Sequence, residues 1–149
     1  MKRIALALAL LSQPAMAFEE LAAMPAQDRH LTCLTQAIYY EARGQSRAGQ
    51  IAVGQVVLNR TRDRRFPSDI CNVVYQRTGN QCQFSWTCSR RTGPVNSREW
   101  AEARYNAMIV MTNIPDITGG ALYFHSVSAN QLPGMKRTAR IDNHIFYRR

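Results

Sequence analysis

The chain has 149 residues, one domain's worth, with 46% hydrophobic and 9% aromatic content, which excludes a multidomain machine, a fibre and a wholly disordered polypeptide. Its 19 Lys and Arg against 10 Asp and Glu give a formal charge of +9, a balance that favours a polyanionic partner. Arginine supplies 17 of those 19 cations.

Residues 1–17 read as a secretory signal peptide: a basic start (Lys2, Arg3), an apolar run from Ile4 to Leu11, and a small-x-small ending, Ala15-Met16-Ala17. The run is far shorter than the roughly 18 to 20 residues that cross a bilayer, so stable membrane insertion is not expected. Cleavage there removes Lys2 and Arg3 and leaves 132 residues carrying +7. Export to an oxidising compartment gives the four cysteines a structural meaning, and four allow three pairings. Cys82 and Cys88 would close a small loop, leaving Cys33 with Cys71 as the preferred set. A metal site is disfavoured, since no C-x-x-C pair occurs and the three histidines show no ligand spacing.

Residues 18–30 look like an exposed lead-in carrying acids and Pro25. From residue 31 to the end a single domain is expected. Leu31, Leu34, Ala37, Ile38 and Glu41 recur at helical offsets, and Gly44 is a natural stop. A second helix is predicted from about Ala48 to Arg62, with Ile51, Ala52, Val56 and Leu58 or Asn59 inward. Ser68 or Asp69 could cap a short helix over Ile70–Tyr75.

Residues 77–96, polar and bearing glycine and two cysteines, suggest an irregular stapled loop. Asn96 and Glu99 resemble a capping box at the head of a third long helix, with Trp100, Ala103, Ala107 and Met111 on one stripe and Pro115 beyond its end. Short β-compatible stretches follow at Ala121–Ser126 and Ile145–Arg148, separated by a loop containing Pro133 and Gly134. The expected class is α+β, mainly helical, with a small β element near the C-terminus.

Glu41 is the residue with the clearest chemical promise. On the inward stripe near a helix C-terminus, burial and the helix's negative pole both disfavour its ionised form, as a general acid requires. The competing reading is an exposed glutamate paired with Arg43 or Arg47. Asn80-Gln81-Cys82-Gln83-Phe84-Ser85-Trp86 places an indole beside amides and hydroxyls, a sugar-stacking composition, although Phe84 and Trp86 could equally anchor the loop in the core. His125 and His144 flank apolar residues and suit either a structural hydrogen bond or a substrate contact. No G-x-S-x-G elbow or Gly-rich phosphate loop is present. The arginines gather loosely at Arg60, Arg62, Arg64 and Arg65, at Arg90 and Arg91, at Arg137 and Arg140, and at Arg148 and Arg149. In an exported protein they suggest a solvated face or attraction to an anionic envelope polymer, not nucleic acid.

Five ordered blocks carry a resemblance: Ala37-Ile38-Tyr39-Tyr40-Glu41-Ala42-Arg43-Gly44-Gln45; Gly49-Gln50-Ile51-Ala52-Val53 through Val57-Leu58-Asn59-Arg60; Cys82-Gln83-Phe84-Ser85; Gly120-Ala121-Leu122-Tyr123-Phe124-His125; and Ile141-Asp142-Asn143-His144-Ile145-Phe146-Tyr147. Together, from about residue 32 to 148, they resemble the SleB-type cell wall hydrolases, the family of spore-cortex-lytic enzymes. The resemblance implies a lysozyme-like α+β fold that cleaves peptidoglycan glycan strands between N-acetylmuramic acid and N-acetylglucosamine without a cofactor. It implies a lytic transglycosylase forming 1,6-anhydromuramic ends, with Glu41 as the catalytic acid and base. Gln83, Ser85, Tyr123 and His125 match motif positions expected to line the substrate cleft. The cysteines look like those of exported Gram-negative versions, which points to the periplasm and ordinary murein. A water-using muramidase and a non-catalytic basic wall-binding protein are the alternatives.

Overall fold

A computed structural model describes residues 25–89 and 96–149. The expected signal peptide, residues 18–24 of the expected lead-in, and Arg90 and Arg91 lie outside the described residues. Helices α1 (Ala26–Ala42), α2 (Arg47–Thr61), α3 (Ile70–Val74) and α4 (Ser97–Met111) come first. Between α3 and α4 lie a two-residue pair, β1 (Arg77–Thr78) with β2 (Gln81–Cys82), and a 3-10 turn over Ser85–Cys88. The chain closes with β3 (Tyr123–Ser126), β4 (Lys136–Ile141) and β5 (His144–Arg148), an antiparallel sheet of order β3-β5-β4.

Helix α1 begins five residues before the expected Leu31, inside the segment read as an exposed lead-in. Pro25 precedes it and Asp28 occupies its first turn, where a carboxylate suits the free amides. That turn is polar and largely exposed, so apolar periodicity does not mark it. Asp69 holds it instead, accepting from Arg29 at 3.4 Å and meeting His30 Nε2 at 2.6 Å. Asp69 also caps α3 through the Asn72 amide at 2.9 Å.

Helix α2 runs through the middle of the molecule, and residues 49–57 are buried on every side. A helix so enclosed shows no single apolar stripe, because different faces meet different partners. Ile51 and Val57 join the core built from α1, α3 and α4, including Leu34, Ile38, Val73 and Val110. Ala52 and Val56 face the sheet and pack with Ala121 and Phe146. Each fully buried aliphatic or aromatic side chain here contributes about 1.5 to 3 kcal/mol by leaving water. A Cβ on Gly54 would stand 3.0 Å from Ile38 and 3.1 Å from Val110, so a bare backbone lets the three long helices approach. The two buried glutamines of α2 are satisfied inside: Asn106 donates to Gln50 Oε1 at 2.9 Å, and Gln55 bridges the Pro115 carbonyl and the Ile117 amide.

Asn96 caps α4 by accepting from the amides of Arg98 and Glu99. The reciprocal half of a capping box does not form, since the Asn96 amide donates to the Tyr39 hydroxyl at 2.9 Å. The buried stripe of α4 is Ala103, Asn106, Ala107 and Val110, with Trp100 and Met111 half-buried beside it. The stretch from Lys136 to Ile141, expected to lie in a loop, is strand β4. Its sequence carries three cations, and its apolar residues, Ala139 and Ile141, come only at its end, so pairing with β5 defines it.

The structure pairs Cys33 with Cys71, linking α1 to α3 at a Cα separation of 5.3 Å, and Cys82 with Cys88 at 6.0 Å. Among the described residues no helix is long and apolar enough to cross a membrane.

Candidate active site

Glu41 lies in the last turn of α1, half-buried, with Tyr39 and Ala42 packed in the core on either side of it in sequence. Burial pushes its carboxyl above the usual carboxylate range, while the Trp86 indole N–H and the Arg60 guanidinium pull it back. Neither Arg43 nor Arg47 forms an ion pair with it: Arg43 lies over the Tyr39 ring at 5.0 Å and Arg47 over Tyr105 at 5.4 Å. The carboxyl thus faces a desolvated wall without a contact ion pair, the setting that keeps an acid protonated toward neutral pH.

The loop that holds Trp86 is built for rigidity. The Cys82–Cys88 bridge closes it, the Gln83 amide donates to the Gln76 carbonyl at 3.0 Å, and the Thr87 amide and hydroxyl both donate to the Phe84 carbonyl. Trp86 stacks on Tyr40 at 4.6 Å between centroids and also meets Tyr75 and Phe84. These contacts anchor the loop against the core. The Trp86 Nε1 is buried and meets no acceptor at hydrogen-bond geometry, so it acts on Glu41 as a nearby donor, not through a formed bond.

The sheet meets this loop where the Phe124 ring lies 6.5 Å from Phe84. Along β3 the side chains alternate, which puts Tyr123 and His125 on one face and Phe124 on the other, where Phe124 packs with Phe146 and His144. Tyr123 is half-buried, 6.0 Å from the Phe66 ring. His125 Nε2 lies 2.9 Å from the Tyr147 hydroxyl and Nδ1 2.7 Å from the Ser126 carbonyl. A carbonyl only accepts, so Nδ1 donates to it. His144 has a different setting: buried, with Nδ1 accepting from the Gln45 amide at 3.2 Å, its pKa lowered chiefly by burial. Next to it Asp142 accepts from the Ser46 amide and hydroxyl, tying the β4–β5 turn to the start of α2.

Glu41, Trp86, Arg60 and Tyr123 are thereby drawn into one electrostatic and packing unit. Gln83 and Ser85 are exposed on the stapled loop beside Phe84 and Trp86, and His125 is one position along the face from Tyr123. Arg60 is the member the sequence reading places wrongly, grouped with Arg62, Arg64 and Arg65 as surface charge. It is 4% exposed. The signal was available, since Val53, Val56, Val57 and Arg60 follow the helical offsets of three and four. Among the described residues no three His, Cys, Asp or Glu side chains converge as a metal site would require.

Comparison with known proteins assigns the fold and the family. The family model described as Cell Wall Hydrolase matches residues 44–147. The spore cortex-lytic enzyme of Halalkalibacterium halodurans is 29% identical over 122 residues, covering 80% of this chain and 34% of that protein. That of Bacillus subtilis is 30% identical over 116 residues, covering 76% and 35%. The chain therefore spans about a third of the length of these curated relatives. Among solved structures, the catalytic domain of the germination-specific lytic transglycosylase SleB from Bacillus anthracis superposes with a TM-score of 0.62 at 24% identity, covering 80% of this chain and 93% of that one. The catalytic domain of the Bacillus cereus SleB protein gives 0.63 at 24% identity, covering 80% and 89%. The shared fold is the lysozyme-like α+β arrangement.

Proposed function

From the chain's membership of the cell wall hydrolase family, we propose that it cleaves peptidoglycan glycan strands between N-acetylmuramic acid and N-acetylglucosamine, as a lytic transglycosylase with Glu41 as general acid and then general base. The observation that carries this reading is the setting of Glu41: a desolvated carboxyl with its pKa raised and Arg60 the one charged side chain acting on it among the described residues. A protonated Glu41 gives its proton to the glycosidic oxygen, which leaves with the electron pair of the bond to muramic C1. The C6 hydroxyl of the same sugar then attacks C1 and returns its proton to the carboxylate.

A hydrolase using water needs a second carboxylate about 5 to 9.5 Å away. The other acids with hydrogen-bond partners are committed elsewhere: Asp63 to Arg65, Asp69 to α3 and His30, Asp116 to Thr118 and Gly120, and Asp142 to Ser46. This supports a nucleophile that belongs to the substrate. Gln83, Ser85, Tyr123 and His125 are the proposed cleft residues, Tyr123 standing nearest the charged core of the site. The two disulfides favour an exported protein acting in the envelope, the periplasm being the compartment proposed.

The test is digestion of purified peptidoglycan by the wild type and by Glu41→Gln, with the products weighed. Anhydro ends made by the wild type alone are expected. Reducing ends would sink the transglycosylase in favour of the muramidase, equal activity in the variant would remove Glu41 from its role, and binding without cleavage by the wild type would leave a wall-binding protein.

A further inference from the structure

Arg60 sits where a guanidinium is expensive to keep. Its Nε donates to the Leu122 carbonyl at 2.8 Å, and its Cζ lies 5.1 Å from the Phe66 ring centroid, 5.5 Å from Phe84 and 5.9 Å from Tyr123. Its Nη1 is buried and has no hydrogen-bond partner. A charge taken out of water is retained only where something compensates it, and a buried N–H without an acceptor calls for an explanation. The three rings supply attraction through their faces. Among the described acids, Glu41 is the one whose charge acts on Arg60, and it supplies compensation only once it has given up its proton.

The position also limits what Arg60 can do. At 4% exposed, with Nε on the Leu122 carbonyl and Nη1 out of solvent, Arg60 belongs to the wall behind the site more than to its open face. It links the parts of the site instead: Leu122 precedes Tyr123 on the sheet side, while Phe84 belongs to the stapled loop and lies 6.2 Å from Trp86. We propose that Arg60 is a positioning residue for the reaction, the fixed positive charge that meets the carboxylate Glu41 becomes on giving up its proton. Placed beyond contact distance, it stabilises the anion without holding the resting acid in an ion pair. This rests on the catalytic reading of Glu41.

Two neutral variants test it: Arg60→Met, which keeps the stem, and Arg60→Gln, which keeps an N–H for the Leu122 carbonyl; Arg60→Lys restores charge. As a general acid, Glu41 works while protonated, so activity falls as pH rises through its pKa. Removing a nearby positive charge raises that pKa. The alkaline limb of kcat should therefore move up by about one pH unit or more in a folded neutral variant, with kcat at the optimum down about tenfold and KM little changed. Arg60→Lys should bring the limb back toward the wild type. An unmoved limb in a folded neutral variant overturns the proposal, and failure of both neutral variants to fold makes Arg60 a scaffold residue and overturns it too. Carbon NMR titration of the Glu41 carboxyl without substrate separates the two levels. A titration that moves with Arg60 while Glu41→Gln stays fully active would sink the catalytic reading and leave the coupling intact.

Discussion

The Tyr40 ring lies stacked on Trp86, centroids 4.6 Å apart and planes 28° from parallel, so the residue just before Glu41 is clamped to a loop that begins more than forty positions later. The clamp fixes the last turn of α1, where Glu41 sits, against a wall that excludes water. Trp86→Ala should lower stability by about 2 to 4 kcal/mol in urea unfolding. It should also admit water beside Glu41, and relief of burial, the larger effect, should move the alkaline limb of activity down against the opposing loss of the indole N–H. Trp86→Phe keeps a ring for Tyr40 and should recover most of the stability. A stability loss in Trp86→Ala with an unmoved limb would confine Trp86 to scaffolding.

The two disulfides should separate stability from activity. Bridging residues 38 apart, Cys33–Cys71 should contribute about 4 kcal/mol by restricting the unfolded chain, and Cys82–Cys88, six apart, about 2. Serine replacement of each pair, followed by denaturant unfolding, checks that order. The smaller bridge should matter more for catalysis, because its loop carries Gln83, Ser85 and Trp86. Equal activity loss at matched folded fraction would contradict it.

His144 gives the fold a dependence on acid. Its folded pKa lies below the ordinary histidine value of about 6.5, chiefly through burial, so the unfolded chain takes up a proton before the folded one does. The contribution is whole above about 6.5 and fades as pH falls from there toward the lowered folded value. Unfolding free energy of the wild type should decline over that window. His144→Gln should flatten the decline; a slope unchanged by the substitution would assign it to other groups.

Gly49 tests how closely the helix and the β4–β5 turn approach. A Cβ there would collide with the Asp142 carboxylate, which holds the Ser46 amide and hydroxyl. Alanine inside a helix normally gains about 1 kcal/mol over glycine. Here Gly49→Ala should instead destabilise by about 1 to 3 kcal/mol, and thermal melting reads the sign directly.

Among the described residues Arg29 and Arg65 are the arginines within ion-pair distance of a carboxylate. On the sheet Lys136 stands opposite Arg148, with Arg137 and Arg140 exposed along β4. Like charges facing one another weaken a sheet, and an anionic partner would relieve them. Retention of Glu41→Gln on insoluble peptidoglycan should fall several-fold between about 0.05 and about 0.5 M salt. Retention indifferent to salt would detach the basic surface from wall binding.

Much of this molecule is legible before folding. The spacing of Leu31, Leu34, Ala37, Ile38 and Glu41 gives the register of α1, because a helix buried along one side must repeat at three and four. Strand β4 is illegible for the complementary reason: a cationic edge strand buries little, and its conformation is dictated by the backbone of β5. Arg60 falls between the two. Its spacing places it inward while its charge suggests the surface, and only the rings of Phe66, Phe84 and Tyr123, brought from three other parts of the chain, decide the matter. The amide of Asn96 escapes prediction likewise, since its acceptor on Tyr39 is 57 residues away.

Glu41, Arg60, Trp86 and Tyr123 come from the end of one helix, the end of the next, a stapled loop and a strand of the closing sheet. No single element supplies more than one member of the assembly. A fragment, or a chain nicked in the exposed turn between β3 and β4, should keep no fractional activity. Turnover then reports on the cooperative completion of folding: loss of activity in denaturant should follow global unfolding, with no active intermediate on the way.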